Sequence, residues 1–261
     1  MLVGMQKTAV IVPCYNEAER LRPNEFSKAV DENSQLFFIF VDDGSTDGTA
    51  LVLEELCRSH AKQMFLVRLD KNAGKAEAVR QGFLKAFAGD YVYVGYWDAD
   101  LATPLSAVGV FCDVLDVKKA GLVMGSRVGL MGRKIRRNQV RHYLGRIFAT
   151  GASFVLGLRV YDTQCGAKLF RRTPALESVF RVPFSVNWIF DVEVLARLLV
   201  IERRQGGVSV RSSTVELPLE EWNEVGGSKI KFKDLFLSGL GLVKIFLFMR
   251  SARMQEEFLK G

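Results

Sequence analysis

Leu36-Phe37-Phe38-Ile39-Phe40-Val41-Asp42-Asp43-Gly44-Ser45 decides the fold. A short apolar run stops abruptly at two carboxylates and a glycine turn, the pattern of a buried strand whose carboxyl end meets solvent. The arrangement recurs where Tyr91-Val92-Tyr93-Val94-Gly95-Tyr96 leads into Trp97-Asp98-Ala99-Asp100. In an open α/β sheet ligands bind just beyond the carboxyl ends of strands, so both acidic clusters are expected to line one crevice. Carboxylates gathered there without histidine or cysteine suit a hard, oxygen-loving cation such as Mg2+ or Mn2+, shared with the phosphates of a substrate.

Outward from these two points the first hundred residues alternate. Thr8–Val12, Leu36–Val41, Met64–Leu69 and Tyr91–Tyr96 read as strands; Ala18–Glu32, Thr49–Ala61 and Lys75–Ala88 read as helices. Ser45-Thr46-Asp47-Gly48 supplies capping chemistry for the second helix. Such alternation predicts an α/β fold with a mostly parallel central sheet and helices on both faces. Further on, Leu105–Val117, Tyr143–Leu158 and Trp188–Ile201 read as helices, Leu122–Met124 and Val208–Leu217 as strands, and Thr163–Phe170 as extended chain. The tail from Phe232 to Phe258 reads as one strongly apolar helix edged by Lys and Arg. The simplest division is a domain over 1–230 and a C-terminal amphipathic helix over 231–261, suited to a membrane interface.

Bulk composition narrows the class. A chain of 261 residues, 49% apolar, can bury a large core. A net charge of +7 calls for an anionic partner. The four scattered cysteines form no CxxC pair and read as reduced thiols. The first strand begins so early that a signal peptide is not expected, and no apolar run reaches the roughly 20 residues that span a bilayer. A cytoplasmic protein, peripheral on the cytosolic face of a membrane, is the expectation.

The positive charge is concentrated. Ten Lys and Arg residues, including Arg127 and Arg141, fall between Asp116 and Asp162 with no acidic residue among them. A solvated face would be the ordinary account. A nucleic-acid surface would interleave aromatics with these cations, whereas Tyr143, Phe148 and Phe154 sit in an apolar segment. An anionic membrane or lipid phosphate fits better, and no nucleic-acid partner is expected.

Individual motifs carry the chemistry. Asp98 and Asp100, at i and i+2, can reach one ion where the strand ends. Asp42-Asp43 holds more negative charge than a helix cap needs, which suggests that one of the pair recognises a ligand's donor groups. Asn72-Ala73-Gly74-Lys75 combines backbone N–H groups at a helix start with a lysine, a setting for phosphate. It lacks the full Walker A pattern. His60 sits on a polar helix end and His142 among arginines, so a His-dependent triad is not expected.

These motifs resemble the family 2, GT-A fold glycosyltransferases, and within them the polyprenyl-phosphate (dolichyl-phosphate) glycosyltransferases. The resemblance rests on Ile11-Val12-Pro13-Cys14-Tyr15-Asn16-Glu17, Val41 to Thr49, Asn72 to Lys75, Asp98-Ala99-Asp100 and Gly125-Ser126-Arg127. Asp162-Thr163-Gln164-Cys165-Gly166-Ala167-Lys168-Leu169-Phe170, Trp188 to Glu193 and Gly227-Ser228-Lys229 look most like the dolichyl-phosphate β-glucosyltransferase branch, although Ala167 stands where that branch often has Phe. The resemblance implies inverting transfer of a hexose, glucose first and mannose as the alternative, from a nucleotide-diphosphate sugar (UDP or GDP) to a polyprenyl phosphate. Pro13, Tyr15, Glu17 and Asp43 would hold base and ribose, with Lys75 and Asp98 nearby. Asp98 and Asp100 would bind the metal, and Arg127, Arg141 and Lys229 the acceptor phosphate. Gln164 would lie in the sugar pocket, and Asp162 and Asp191 near the reaction centre. A non-lipid acceptor and a homo-oligomer both remain open.

Overall fold

The computed structural model describes residues 5–136, 139–223 and 232–260, and the side chains of residues 136–142 and 232–236 lie outside that description. Its elements are β1 (Thr8–Cys14), α1 (Pro23–Glu32), β2 (Leu36–Asp42), α2 (Thr49–Ser59), β3 (Met64–Arg68), α3 (Lys75–Phe87), β4 (Tyr93–Trp97), α4 (Ala107–Val117) and β5 (Leu122–Ser126). They continue as β6 (Lys134–Arg136), α5 (Gln139–Leu156), β7 (Ala167–Arg171), α6 (Pro174–Arg181), α7 (Phe190–Gln205), α8 (Val210–Ser213), β8 (Thr214–Pro218), β9 (Glu221–Asn223), α9 (Phe232–Arg250) and α10 (Ala252–Lys260).

Seven strands form one sheet in the order β3-β2-β1-β4-β7-β5-β8. β7 pairs antiparallel with β4 and β5, and the other pairings in this sheet are parallel. The order reverses beside β1, whose neighbours are β2 and β4, and a crevice forms at such a switch point.

Period-2 alternation assigns the two faces. Ala9 and Ile11 of β1 enter a core built with α3, α5, α6, α7 and the C-terminal helices. Val10 and Val12 enter a second core against α1, α2 and α4. Helices therefore cover both faces, as the strand and helix alternation predicts.

Several elements differ from the sequence expectation. The helix expected from Ala18 begins only at Pro23, because residues 18–22 turn back with the Arg20 and Leu21 amides donating to the Glu17 carbonyl, each at 2.8 Å. Gly48, not a side chain, caps α2. The capping chemistry acts one residue earlier, where Asp47 accepts from the Thr49 amide at 2.9 Å. The strand expected over Val208–Leu217 is preceded by the single turn α8. α6, β6 and β9 were not foreseen.

The tail is two helices. Gln255 donates its side-chain amide to the carbonyls of Phe248 and Met249, ending α9 and folding α10 back so that Phe258 meets Phe248 edge-on. The tail packs against the domain: Ile245, Met249 and Phe258 complete the first core. Among the described residues no helix is long and apolar enough to cross a membrane.

Candidate active site

The loops after β1 and β2 meet at the carboxyl ends of their strands, and short polar contacts lock them together. Asn16, in the left-handed region at φ 51°, accepts from the Thr46 amide at 2.9 Å, and its own amide donates to the Ser45 hydroxyl at 3.0 Å. The Glu17 amide donates to the Thr49 hydroxyl at 2.8 Å. Of the residues expected to hold a nucleoside, Pro13 lies near the carboxyl end of β1 opposite Val41, and Tyr15 and Glu17 lie in the loop that follows. Glu17 itself is buried and paired with Arg20 at 2.6 Å.

The two carboxylates after β2 have internal uses. Asp42 accepts from the Ser45 amide at 3.0 Å. Asp43 accepts from the amides of Ala73 at 2.7 Å and Gly74 at 2.9 Å and from Asn72 at 3.2 Å. Burial pushes the Asp43 carboxyl above its ordinary range, partly offset by those amides.

This corrects the expectation of an open amide cradle at Asn72-Ala73-Gly74-Lys75. Asp43 takes the Ala73 and Gly74 amides, and Asn187 takes that of Ala76 at 3.3 Å. What the segment can offer an anion is the Lys75 ammonium. Gly74 adopts φ +92°, and a Cβ there would lie 2.1 Å from Asn187, so glycine is required for α3 to start this way.

Lys75 points into the crevice and pairs with Asp98 at 2.5 Å. β4 ends at Trp97, so Asp98 and Asp100 sit on the turn that follows, yet both line one cavity with Ala102, Thr103, Arg127, Gly166 and Trp222. Asp98 is held by its amide, which donates to the Gly166 carbonyl at 2.9 Å, and Asp100 accepts from the Ala102 amide at 3.0 Å. Burial, and then the neighbouring Asp98 charge, push the Asp100 carboxyl above its usual range. A buried Asp100 made reluctant to ionise beside a second carboxylate is a donor that a divalent cation relieves. No third His, Cys, Asp or Glu joins them among the described residues. A bound Mg2+ or Mn2+ would therefore draw its other ligands from substrate phosphate and water, as Mg2+ commonly does.

Arg127, just past β5, forms the opposite wall. It clamps Asp162 bidentately at 2.7 and 2.8 Å, its amide adds a third contact at 3.1 Å, and its guanidinium faces the Trp222 ring at 5.4 Å. The Asp162 charge overcomes burial and holds Arg127 firmly protonated. Asp162 is in turn placed by Glu216 of β8, which accepts its backbone amide at 2.8 Å. A second cavity adjoins the first across Arg127, lined by Gly145, Arg146, Ala149, Tyr161, Asp162 and Gln164. Gln164, expected in the sugar pocket, lines this second cavity, which shares Arg127 with the first.

Asp191 lies in the first turn of α7, buried beneath the crevice. It pairs with Lys168 at 2.6 Å and accepts from the Tyr96 hydroxyl. Arg141 belongs to α5, but its side chain lies outside the described residues, as does the whole of Lys229.

Sequence reasoning missed Gly166, Lys168, Asn187 and Trp222. Lys168 carried a signal, a lone cation inside the apolar strand Ala167-Lys168-Leu169-Phe170. Trp222 carried none, since β9 is a three-residue strand formed only by pairing with β6.

The glycosyl transferase family 2 profile matches residues 9–178. The dolichyl-phosphate β-glucosyltransferase of Saccharomyces cerevisiae is 33% identical over 265 residues, covering 94% of this chain and 74% of that protein. Among solved structures, glucosyl-3-phosphoglycerate synthase from Mycobacterium tuberculosis, determined with Mn2+, uridine diphosphate and glucosyl-3-phosphoglycerate, superposes with a TM-score of 0.62 at 17% identity, covering 94% of this chain and 80% of that one. A mannosyltransferase from Pyrobaculum calidifontis, solved with GDP-mannose and Mn2+, gives a TM-score of 0.58 at 16% identity, covering 99% of this chain and 73% of the other. The profile spans most of the sheet that carries Asp98 and Asp100, and the yeast enzyme aligns along nearly the whole chain, so this protein is a member of glycosyl transferase family 2.

Proposed function

We propose that the protein is an inverting hexosyltransferase that moves glucose from UDP-glucose to a polyprenyl phosphate at a membrane surface. The observation that carries this reading is the facing pair of charged groups, Lys75 with Asp98 and Asp100 on one wall and Arg127 with Asp162 on the other. One wall suits a diphosphate donor, the other a phosphate acceptor. Likeness to the yeast dolichyl-phosphate β-glucosyltransferase supports the choice of sugar and acceptor. A mannosyl donor is the second reading, favoured by the fold shared with a GDP-mannose-bound enzyme.

In this scheme Pro13, Tyr15, Glu17 and the buried Asp43 shape the nucleoside rim, and Lys75 neutralises the donor diphosphate as a point charge. Asp98 and Asp100 would hold Mg2+ or Mn2+, which when bound supplies Lewis-acid stabilisation of the leaving diphosphate. Arg127, with Arg141 and Lys229 as further candidates, aligns an acceptor phosphate oxygen with the anomeric carbon. The gain is one of positioning. That oxygen attacks with inversion, the new C–O bond forms, and the nucleoside diphosphate departs. The acceptor is already an anion near neutral pH, so the attack needs no histidine base.

The membrane part of the proposal rests on two adjoining helices. On α5, Tyr143, Ile147 and Phe154 are exposed at 68%, 71% and 78%; on α9, Leu237, Leu240, Val243 and Leu247 are all more than half exposed. These spacings of three, four and seven residues place each set on one side of its helix. The opposite side of α9 is the one buried in the core. Gly145, Arg146 and Ala149 on the inner side of α5 line the second cavity, so an acceptor drawn from a bilayer at α5 would meet Arg127.

The test incubates the protein with radiolabelled UDP-glucose or GDP-mannose and dolichyl phosphate, with Mn2+ or EDTA, and counts label in the organic phase. Label from UDP-glucose, lost with EDTA and in Asp100→Ala while the thermal transition persists, is the expected result. Transfer that survives both changes refutes the metal assignment, and label only in water-soluble product refutes the acceptor.

A further inference from the structure

Below the crevice lies a set of buried charges to which the scheme above gives no task. Lys168 and Asp191 are only 2% and 6% exposed and pair at 2.6 Å. Lys168 also donates to the Cys165 carbonyl at 2.6 Å. It stands opposite Tyr96 in the β4–β7 pairing, so both side chains leave the sheet on one face. The Tyr96 hydroxyl donates to Asp191, and two ammonium groups lie near its ring, Lys168 at 5.3 Å and Lys75 at 6.0 Å from the ring centroid. Asp98 pairs with Lys75 directly, and the Asp98 and then the Asp191 charge favour the charged form of Lys75 against its burial. Acid and base alternate inward, Asp98, Lys75, Asp191 and Lys168, and burial pushes the Asp191 carboxyl up to about 7 and the Lys168 ammonium down to about 8.

We propose that Lys168 is a positioning residue, which through Asp191 and Tyr96 holds the Lys75 ammonium at the donor-diphosphate position when Asp98 turns to another cation. The inference rests on the nucleotide-sugar reading above.

Its logic is local. With one carboxylate as its only partner, Lys75 would follow Asp98. A second carboxylate below gives it a fixed seat, and that carboxylate stays ionised in a buried place only if it has its own counter-charge. Lys168 is the cation paired with it, and the Tyr96 hydroxyl fixes its orientation. A residue concerned only with stability would serve equally as a pair of apolar side chains; a seat for Lys75 needs both charges.

The test measures UDP and GDP affinity by calorimetry with Mn2+ on the full chain. The proteins are wild type, Lys168→Met, Lys168→Arg, Lys75→Met and the Lys75→Met/Lys168→Met double variant, each with its thermal transition. Lys168→Met is expected to weaken nucleoside-diphosphate binding about tenfold, the scale of supporting-partner losses at ligand sites. Lys168→Arg should recover most of it. The double variant should bind no more weakly than Lys75→Met alone, because the two residues act as one unit. Tyr96→Phe keeps both charges and serves if Lys168→Met does not fold; it should weaken binding severalfold without altering the polyprenyl-phosphate KM. Unchanged affinity in Lys168→Met or Tyr96→Phe, or independent effects in the double variant, overturns the proposal. Failure of the wild type to bind either nucleotide is a different outcome, and overturns the nucleotide-sugar reading together with this inference.

Discussion

Gly166→Ala should cripple the enzyme through a single methyl group. A Cβ on Gly166 would lie 1.8 Å from Asp98 Oδ2, 2.1 Å from its Cγ and 2.5 Å from Oδ1. Ordinary contact begins near 3.4 Å, so the carboxylate must retreat by about 1.6 Å. Lys75 is paired with the same carboxylate at 2.5 Å, and a shift of that size separates them and takes Asp98 away from Asp100. A misplacement of about 1 Å at a reacting centre can cost on the order of 100-fold, or roughly 2.7 kcal/mol in the barrier. The fold should tolerate the change, since the Asp98 side chain is 37% exposed and can swing toward solvent. Gly109→Ala is the matched control: it lies inside α4 with nothing within 4 Å of its would-be Cβ, so it should stabilise by about 0.5–1 kcal/mol without touching catalysis. The assay is kcat/KM for sugar transfer across a Mn2+ titration, beside thermal unfolding. A Gly166→Ala protein within threefold of wild type in kcat/KM and in its Mn2+ response would refute the reasoning.

Three further outcomes follow from the same geometry. Arg127→Ala takes the bidentate partner from the buried Asp162 carboxylate and should destabilise the protein by about 3–5 kcal/mol. Adding Asp162→Asn should restore much of that by urea unfolding, while transfer stays lost. Ile147→Glu with Leu240→Glu should abolish co-sedimentation with anionic vesicles yet leave nucleotide binding intact; retained sedimentation would remove α5 and α9 from the membrane surface. Burial tends to raise the Asp47 carboxyl, but hydrogen bonds from Thr49 and Ala18 outweigh it and set it below its ordinary value. Its stabilisation is therefore present above about pH 3.9 and lost as pH falls through the lowered folded value. The gap in urea midpoint between wild type and Asp47→Asn should hold from pH 7 to 5 and close below pH 4; a gap independent of pH would show that the carboxylate charge is not the cause.

Much of this protein was legible in the chain because the governing signals are local. Leu36 to Asp42 and Tyr93 to Trp97 announce themselves as strands by their own side chains, and a strand that ends in carboxylates places them at the crevice wherever it pairs. The basic stretch from Lys118 to Arg159 was equally plain, since charge needs no partner to be counted. Tertiary structure decided how those groups are used. Asp43 was read as a ligand group; the turn at Gly74 also brings two amides to it, and which amides of one loop meet a carboxylate of another is invisible in sequence. Lys168 could be seen as a cation in an apolar strand, yet only the antiparallel insertion of β7 beside β4 sets it against Tyr96 and Asp191. The C-terminal segment shows the division most clearly. Its apolar excess was written in the chain, but which side faces the core and which faces outward depends on α5 and α7 lying beside it, because burial is a property of neighbours and not of a residue.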